Sequence, residues 1–334
     1  MNTALFAVAI GSVDQRLWLA VGWTVVHFLW VGTAIGLSAW GLRSLLRWSG
    51  PQALYVASIV ALLALAAAPI DLFRRQLEQA PTPANLSMDA ASAPLPTMPA
   101  PTTPAPNMVS GTAESGMAID SLGPPSAPTA SISASDALSA EAHAWLARAA
   151  EFAPWIWLTG APLMFVFLGC GLVGAERLRR RSRSLATGEL NEACRRLSAA
   201  LHIARPVAIA FSQRVIAPML VGVLRPLILL PAAVLDGQSA EQIEMILLHE
   251  LAHVRRWDNL VNLVQRIIEA ALFFHPAVWL VSRSVRLERE HCCDEVVLAH
   301  VNDPRAYAQM LAALAIPGLA PVHAAAVMAM PSPS

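Results

Sequence analysis

Two stretches of the sequence carry side chains whose types and spacing could do chemistry. In "LLHELAHVRRWDN", residues 247–259, His249 and His253 stand four positions apart. On a helix that spacing aims both imidazoles from one face toward one point. Glu250, one residue on, points beside that face and can hold the water that a bound zinc polarises. Two His ligands with a general-base Glu are the arrangement of a zinc peptidase, more telling than a surface helix with two incidental histidines.

Zinc in such a site needs a third protein ligand and keeps a fourth position open. The second stretch, "LEREHCCDEV" (287–296), offers seven candidates: Glu288, Glu290, His291, Cys292, Cys293, Asp294 and Glu295. At about 100° per residue, Val278, Val285, Cys292, Cys293 and Val296 share one arc, the expected packing face. Glu290 and Asp294 lie together on its flank, whereas Glu288 and Glu295 fall on the far side, as a solvated charged edge would. His291 points away from Glu290. Glu290 is therefore the expected third ligand, and Asp294 is placed to accept a hydrogen bond from a ligating imidazole. The cysteines read as small core residues.

The elements that must position these groups are legible around them. Ser239 and Gln242 form a capping box that starts a helix through "IEMILLHELAHVRR". A second, amphipathic helix covers "NLVNLVQRIIEAALFF". A third begins near Pro276, which suits a first helical turn, and runs through the second stretch. Ahead of them "ELNEACRRLSAALHI" has helical periodicity, and "PVAIAFS", "PMLVGVL" and "PLILLP" read as short strands punctuated by proline. Residues 176–316 thus read as a small, mainly helical α+β domain.

The rest of the chain belongs in lipid. Of 334 residues 56% are hydrophobic and only 14% charged, against about 25% in a soluble domain. Net charge is zero, which excludes a nucleic-acid binder relying on a basic field. Three runs without a charged residue, 17–42, 53–70 and 152–175, form the cores of spans expected at about 17–42, 53–72 and 151–175, each long enough to cross a bilayer. Arg43 and Arg47 follow the first and a cluster from Arg177 to Arg183 follows the third, which orients the peptidase domain toward the cytoplasm; Arg74 and Arg75 dissent. Residues 76–150 lie outside on this topology, and their Pro, Ala, Ser and Thr content reads as a disordered linker. His27, inside the first span, is a functional candidate by its depth alone. The four cysteines lack the spacing of a disulfide scaffold.

"HELAHVRRWDNLVNLVQRIIEAALFFHPAVW" followed by "RLEREHCCDE", together with "HFLW" in the first span and "PMLVGVLRPLILLP", resembles the BlaR/MecR-type antirepressor membrane metallopeptidases. The resemblance covers most of the chain outside the linker; its E-x-x-x-D element, Glu290 and Asp294, also occurs in other zinc peptidases. It implies a zinc endopeptidase in the cytoplasmic membrane, switched on by an external signal. It further implies cleavage of itself, of a transcriptional repressor of winged-helix type, or of both, in regulating antibiotic resistance. Membrane lipid is then a partner, direct nucleic-acid contact is not expected, and a homodimer is compatible. β-Lactam sensors of this family carry a fourth span and an external penicillin-binding domain. The expectation here is that both are lacking and that 317–334 form a short, truncated tail. Three rival readings are an intramembrane protease, a membrane quality-control or prenyl-protein-type zinc protease, and a non-catalytic scaffold. The charged flanks Glu241, Glu244, Arg255, Arg256 and Asp258 speak against the first, the amphipathic 259–274 helix with Gln265, Arg266 and Glu269 against the second, and the intact Glu250 against the third.

Overall fold

The computed structural model describes residues 15–79, 134–182, 184–185, 188–232 and 238–314. The chain divides into two compact units, Met1–Leu77 with Ala149–Ser334, and Glu78–Arg148. Among the described residues, three helices are long and apolar enough to cross a membrane: α1 (Gln15–Leu46), α2 (Pro51–Gln79) and α3 (Ala134–Arg181). The first two spans fall where the uncharged runs predict. α3 begins well before its apolar run, because 134–150 is rich in the strong helix formers Ala, Leu, Glu and Arg. The expected linker is therefore helical at its C-terminal end, and its central part, 80–133, lies outside the described residues, as does the expected tail.

After α3 come β1 (Ser184–Leu185), α4 (Glu189–Ala200), β2 (Ala208–Ser212), β3 (Met219–Val221) and β4 (Leu227–Pro231). The sheet order is β1-β2-β4-β3, with β2 and β4 parallel and the outer pairings antiparallel. The three runs, read as two or three strands, form β2, β3 and β4; β1, only two residues long, was too short to show a pattern. Gly222 closes the β3–β4 turn at φ 91°, where a Cβ would stand 2.7 Å from the Arg225 carbonyl oxygen.

Four helices follow: α5 (Ala240–Arg255), α6 (Asp258–Ala271), α7 (Pro276–Leu298) and α8 (Pro304–Leu314). Ser239 caps α5 reciprocally with Gln242, as expected. One apolar core joins α4, the sheet, α5, the end of α7 and α8 around Leu247, Leu251, Ile228, Leu230 and Met310. A second joins α1 and α2 to α6 and α7, through Phe28 of α1, Leu62 and Leu65 of α2, Ile268, and Val278, Val281 and Val285 of α7.

That second core depends on glycines that let α1 approach closely. A Cβ on Gly32 would lie 2.6 Å from the His275 imidazole, and one on Gly36 2.7 Å from the Ala277 methyl. The Gly-x-x-x-Gly step is the small-residue groove that membrane helices use in place of hydrophobic driving force. Overpacking it costs roughly 1–3 kcal/mol. Thermal unfolding of the detergent-solubilised chain is expected to show a lowered Tm for Gly32→Leu. Gly41→Leu, at a position with nothing within 4 Å, is expected to leave the Tm unchanged.

Candidate metal centre

α5 ends against a corner that the following residues make necessary. Trp257 sits in the left-handed region at φ 59°, a conformation costing an L-residue roughly 1–2 kcal/mol. The Arg205 guanidinium covers its ring at 3.8 Å and donates to the carbonyls of Val223 and Val254. Asn259 donates to the Gly222 carbonyl at 2.8 Å, fixing the start of α6 to the sheet. The corner returns the chain so that Asp258 faces the last turn of α5.

There the Asp258 carboxylate accepts from His253 Nδ1 at 2.7 Å. On the other histidine, Nδ1 of His249 meets the Tyr307 hydroxyl at 3.0 Å and the Asp294 carboxylate at 3.2 Å. Tyr307 in turn donates to Asp294 at 2.7 Å. With both Nδ1 atoms engaged, both Nε2 atoms turn toward Glu290 of α7, to 3.6 Å for His249 and 3.5 Å for His253. These three donor atoms all lie within 4.8 Å of one another. Ligand atoms bound tetrahedrally at about 2.1 Å stand roughly 3.4 Å apart, close to the spacing of Glu290 from each histidine.

The electrostatics agree with that fit. Burial disfavours the His249 imidazolium, yet hydrogen bonds to Asp294 and Glu290 outweigh it and hold the pKa above its ordinary value. His253 is raised further; burial again opposes the charge, and its hydrogen bonds with Asp258, Cys293 and Glu290 overcome it. The surroundings are thus built to accept positive charge at this point. Glu250 is buried, and desolvation pushes its carboxyl above the usual range although both histidines draw it down. A carboxylate so tuned is suited to taking a proton from water and handing it on.

The expected residues His249, Glu250, His253, Glu290 and Asp294 thus meet at one place. Glu288 does not behave as expected. It is buried, 1% exposed, and its carboxylate pairs with Arg43 of α1 at 2.6 Å. The helical wheel put it opposite Glu290, which is correct, but that side of α7 is covered by α1 and is not a solvated edge. Glu295 is exposed. Cys292 and Cys293 are buried, and Cys293 has a further contact, with its sulfur 3.3 Å from His253 Nδ1 and 3.7 Å from Asp258. His253, Asp258 and Cys293 form a second close set of potential ligands. That set approaches His253 on the nitrogen already donating to Asp258. Burial also pushes the Cys293 thiol up to about 11, which keeps it neutral. Asp258 and Tyr307 were missed from the sequence, Asp258 because its role needs the left-handed corner and Tyr307 because α8 lies outside both motifs. His27 bonds only to the Trp23 carbonyl of its own helix among the contacts described.

Two histidines and a carboxylate, carried on two packed helices with a buried glutamate beside them, define a metallopeptidase-type centre. The chain belongs to the BlaR1 peptidase M56 family, whose model matches residues 23–333. It is similar to the regulatory protein BlaR1 of Bacillus licheniformis, 27% identical over 143 residues, 43% of this chain and 24% of that protein. It is also similar to the methicillin resistance mecR1 proteins of Staphylococcus aureus and Staphylococcus epidermidis, each 26% identical over 148 residues, 44% of this chain and 25% of theirs. The matched stretch thus spans about a quarter of the length of these relatives.

Elemental analysis of the purified chain is expected to find one zinc, lost in His249→Ala and in Glu290→Ala but retained in Glu250→Ala. Asp258→Ala is expected to weaken zinc affinity about 10–100-fold, the usual cost of removing a carboxylate behind a ligating imidazole. Zinc loss in Glu288→Ala with retention in Glu290→Ala would reverse the ligand assignment.

Proposed function

We propose that the chain is a membrane-anchored zinc endopeptidase of signal transduction, with His249, His253 and Glu290 holding the metal and Glu250 as general base. The observation that carries this reading is the convergence of His249 Nε2, His253 Nε2 and the Glu290 carboxylate at 3.5–3.6 Å beside the buried Glu250. Bound zinc would supply a Lewis acid for the scissile carbonyl and lower the pKa of water in the site. Glu250 takes the proton from that water and delivers it to the departing amine nitrogen. Its raised pKa lets it carry the proton between the two steps. Asp258 holds His253, and Asp294 with Tyr307 holds His249, in the tautomer that presents Nε2.

The likeness to a regulatory protein and to methicillin resistance proteins supports a cytoplasmic peptidase domain that answers a signal from across the membrane. Its substrate is then this chain itself, a cytoplasmic transcriptional repressor, or both. General-base removal typically costs about 10²–10⁴-fold. Expression of the full chain and of Glu250→Gln in its host, followed by mapping of new protein termini, tests this directly. Termini present with the parent chain and absent with Glu250→Gln are expected; identical termini would favour a non-catalytic scaffold.

A further inference from the structure

α6 is amphipathic, but the wrong way round for a helix on a soluble domain. Four of its six polar residues, Asp258, Asn262, Gln265 and Glu269, are buried, and the other two, Asn259 and Arg266, are half-buried. Its exposed side chains include Trp257 just before it, then Leu260, Val264 and Ile267, each 40–45% exposed. A solvated helix does the reverse. The inward side is a connected polar seam. Gln265 donates to the Ser282 carbonyl and accepts from Arg289, while Glu269 takes Arg266 at 2.9 Å and Arg286 at 2.7 Å.

The depth of this helix follows from its contacts. Its first residue, Asp258, accepts a hydrogen bond from Tyr55, one turn into α2. Its last, Ala271, gives its carbonyl to the Trp157 indole of α3 at 2.9 Å. The turn beyond puts Phe274 on Phe28 of α1, and His275 Nε2 donates to the Leu29 carbonyl at 3.2 Å, near the middle of α1. α7 then runs back beside α1 until Glu288 meets Arg43 near its end. Fourteen residues of helix rise about 21 Å, against a hydrocarbon core of about 30 Å.

Backbone at such a depth must be satisfied within the protein, and the tip meets that demand. Besides the Trp157 bond, the Trp279 indole donates to the Phe273 carbonyl at 2.8 Å. His275 Nδ1 accepts from the Ala277 amide, capping α7. An almost wholly apolar cavity of about 470 Å³ opens beside the tip, lined by Val25, Phe28, Pro69, Phe73, Trp157 and Ile267 among others.

We infer that α6 and the first half of α7 form a re-entrant hairpin sunk among the spanning helices, with the Leu260–Val264–Ile267 face of α6 laid against lipid acyl chains. The occupant is lipid because α6 is held between α2 and α3, whose own outward residues, such as Val60, Leu63 and Phe167, are likewise apolar and exposed. The inference stands apart from the peptidase reading. Taken together, the two put the donor cluster, at the mouth of the hairpin beside Asp258, at the bilayer surface, where it would meet juxtamembrane peptide.

The test is nitroxide accessibility in the full chain reconstituted into phosphatidylethanolamine/phosphatidylglycerol vesicles. Val264→Cys, in a Cys170→Ser background, is labelled and its collision rates with oxygen and with a water-soluble nickel chelate are compared. Phe167→Cys serves as the lipid standard and Leu224→Cys, 79% exposed on the β3–β4 turn, as the water standard. An oxygen-to-nickel ratio at Val264 matching Phe167, and several-fold above Leu224, is expected. A ratio matching Leu224 overturns the inference, and so does low collision with both agents, which would mean a protein-covered face such as a second copy. Ile267→Cys repeats the measurement one turn away, so that the result does not hang on one substitution.

Discussion

The hydrogen bond from His253 to Asp258 ties together parts of the chain that would otherwise be independent. It needs α5 to end at Arg255, the left-handed Trp257 to reverse the chain, and α6 to begin at Asp258. It selects the tautomer that turns Nε2 toward Glu290. The same carboxylate accepts from Tyr55 of α2, so the orientation of one candidate ligand is referenced to a helix long and apolar enough to cross a membrane. A corner costing roughly 1–2 kcal/mol persists because Arg205, Asn259 and this bond all act at it.

α7 carries the other half of the arrangement and has two buried sides. One presents Glu290 and Asp294 to α5; the other presents Glu288 to Arg43 of α1. Glu288 is buried but the Arg43 side chain is 36% exposed, so solvent screens the pair and it adds little net stability. The Arg43–Glu288 contact is therefore best understood as fixing the register of α7 along α1. Because Glu288 is two residues from Glu290, that register also sets the height of the third candidate ligand relative to the two histidines.

Much of this was readable in the sequence. The i, i+4 histidines, the Ser239 cap and the Glu290–Asp294 flank follow from helix geometry alone, and the structure brings those residues together. Periodicity says which residues share a face but not what covers it, so Glu288 read as solvated when α1 lies over it. The same gap hid α6, whose alternation is plain in sequence while its inversion depends on its neighbours. Asp258 was visible only as a charge after the motif; a single backbone conformation makes it a partner of His253. Tyr307 carries no spacing signal at all, since its contact with His249 spans 58 residues and exists only through the packing of α8 on α5.

The central claim is the identity of the donors: two imidazoles and one carboxylate, with the Cys293 thiol left as a neutral neighbour. X-ray absorption at the zinc edge of the purified full chain reads that set directly. The account predicts a nitrogen and oxygen shell at about 2.0–2.1 Å with outer scattering from two imidazoles. A sulfur contribution at about 2.3 Å would contradict it, and would move the metal to the His253–Asp258–Cys293 side.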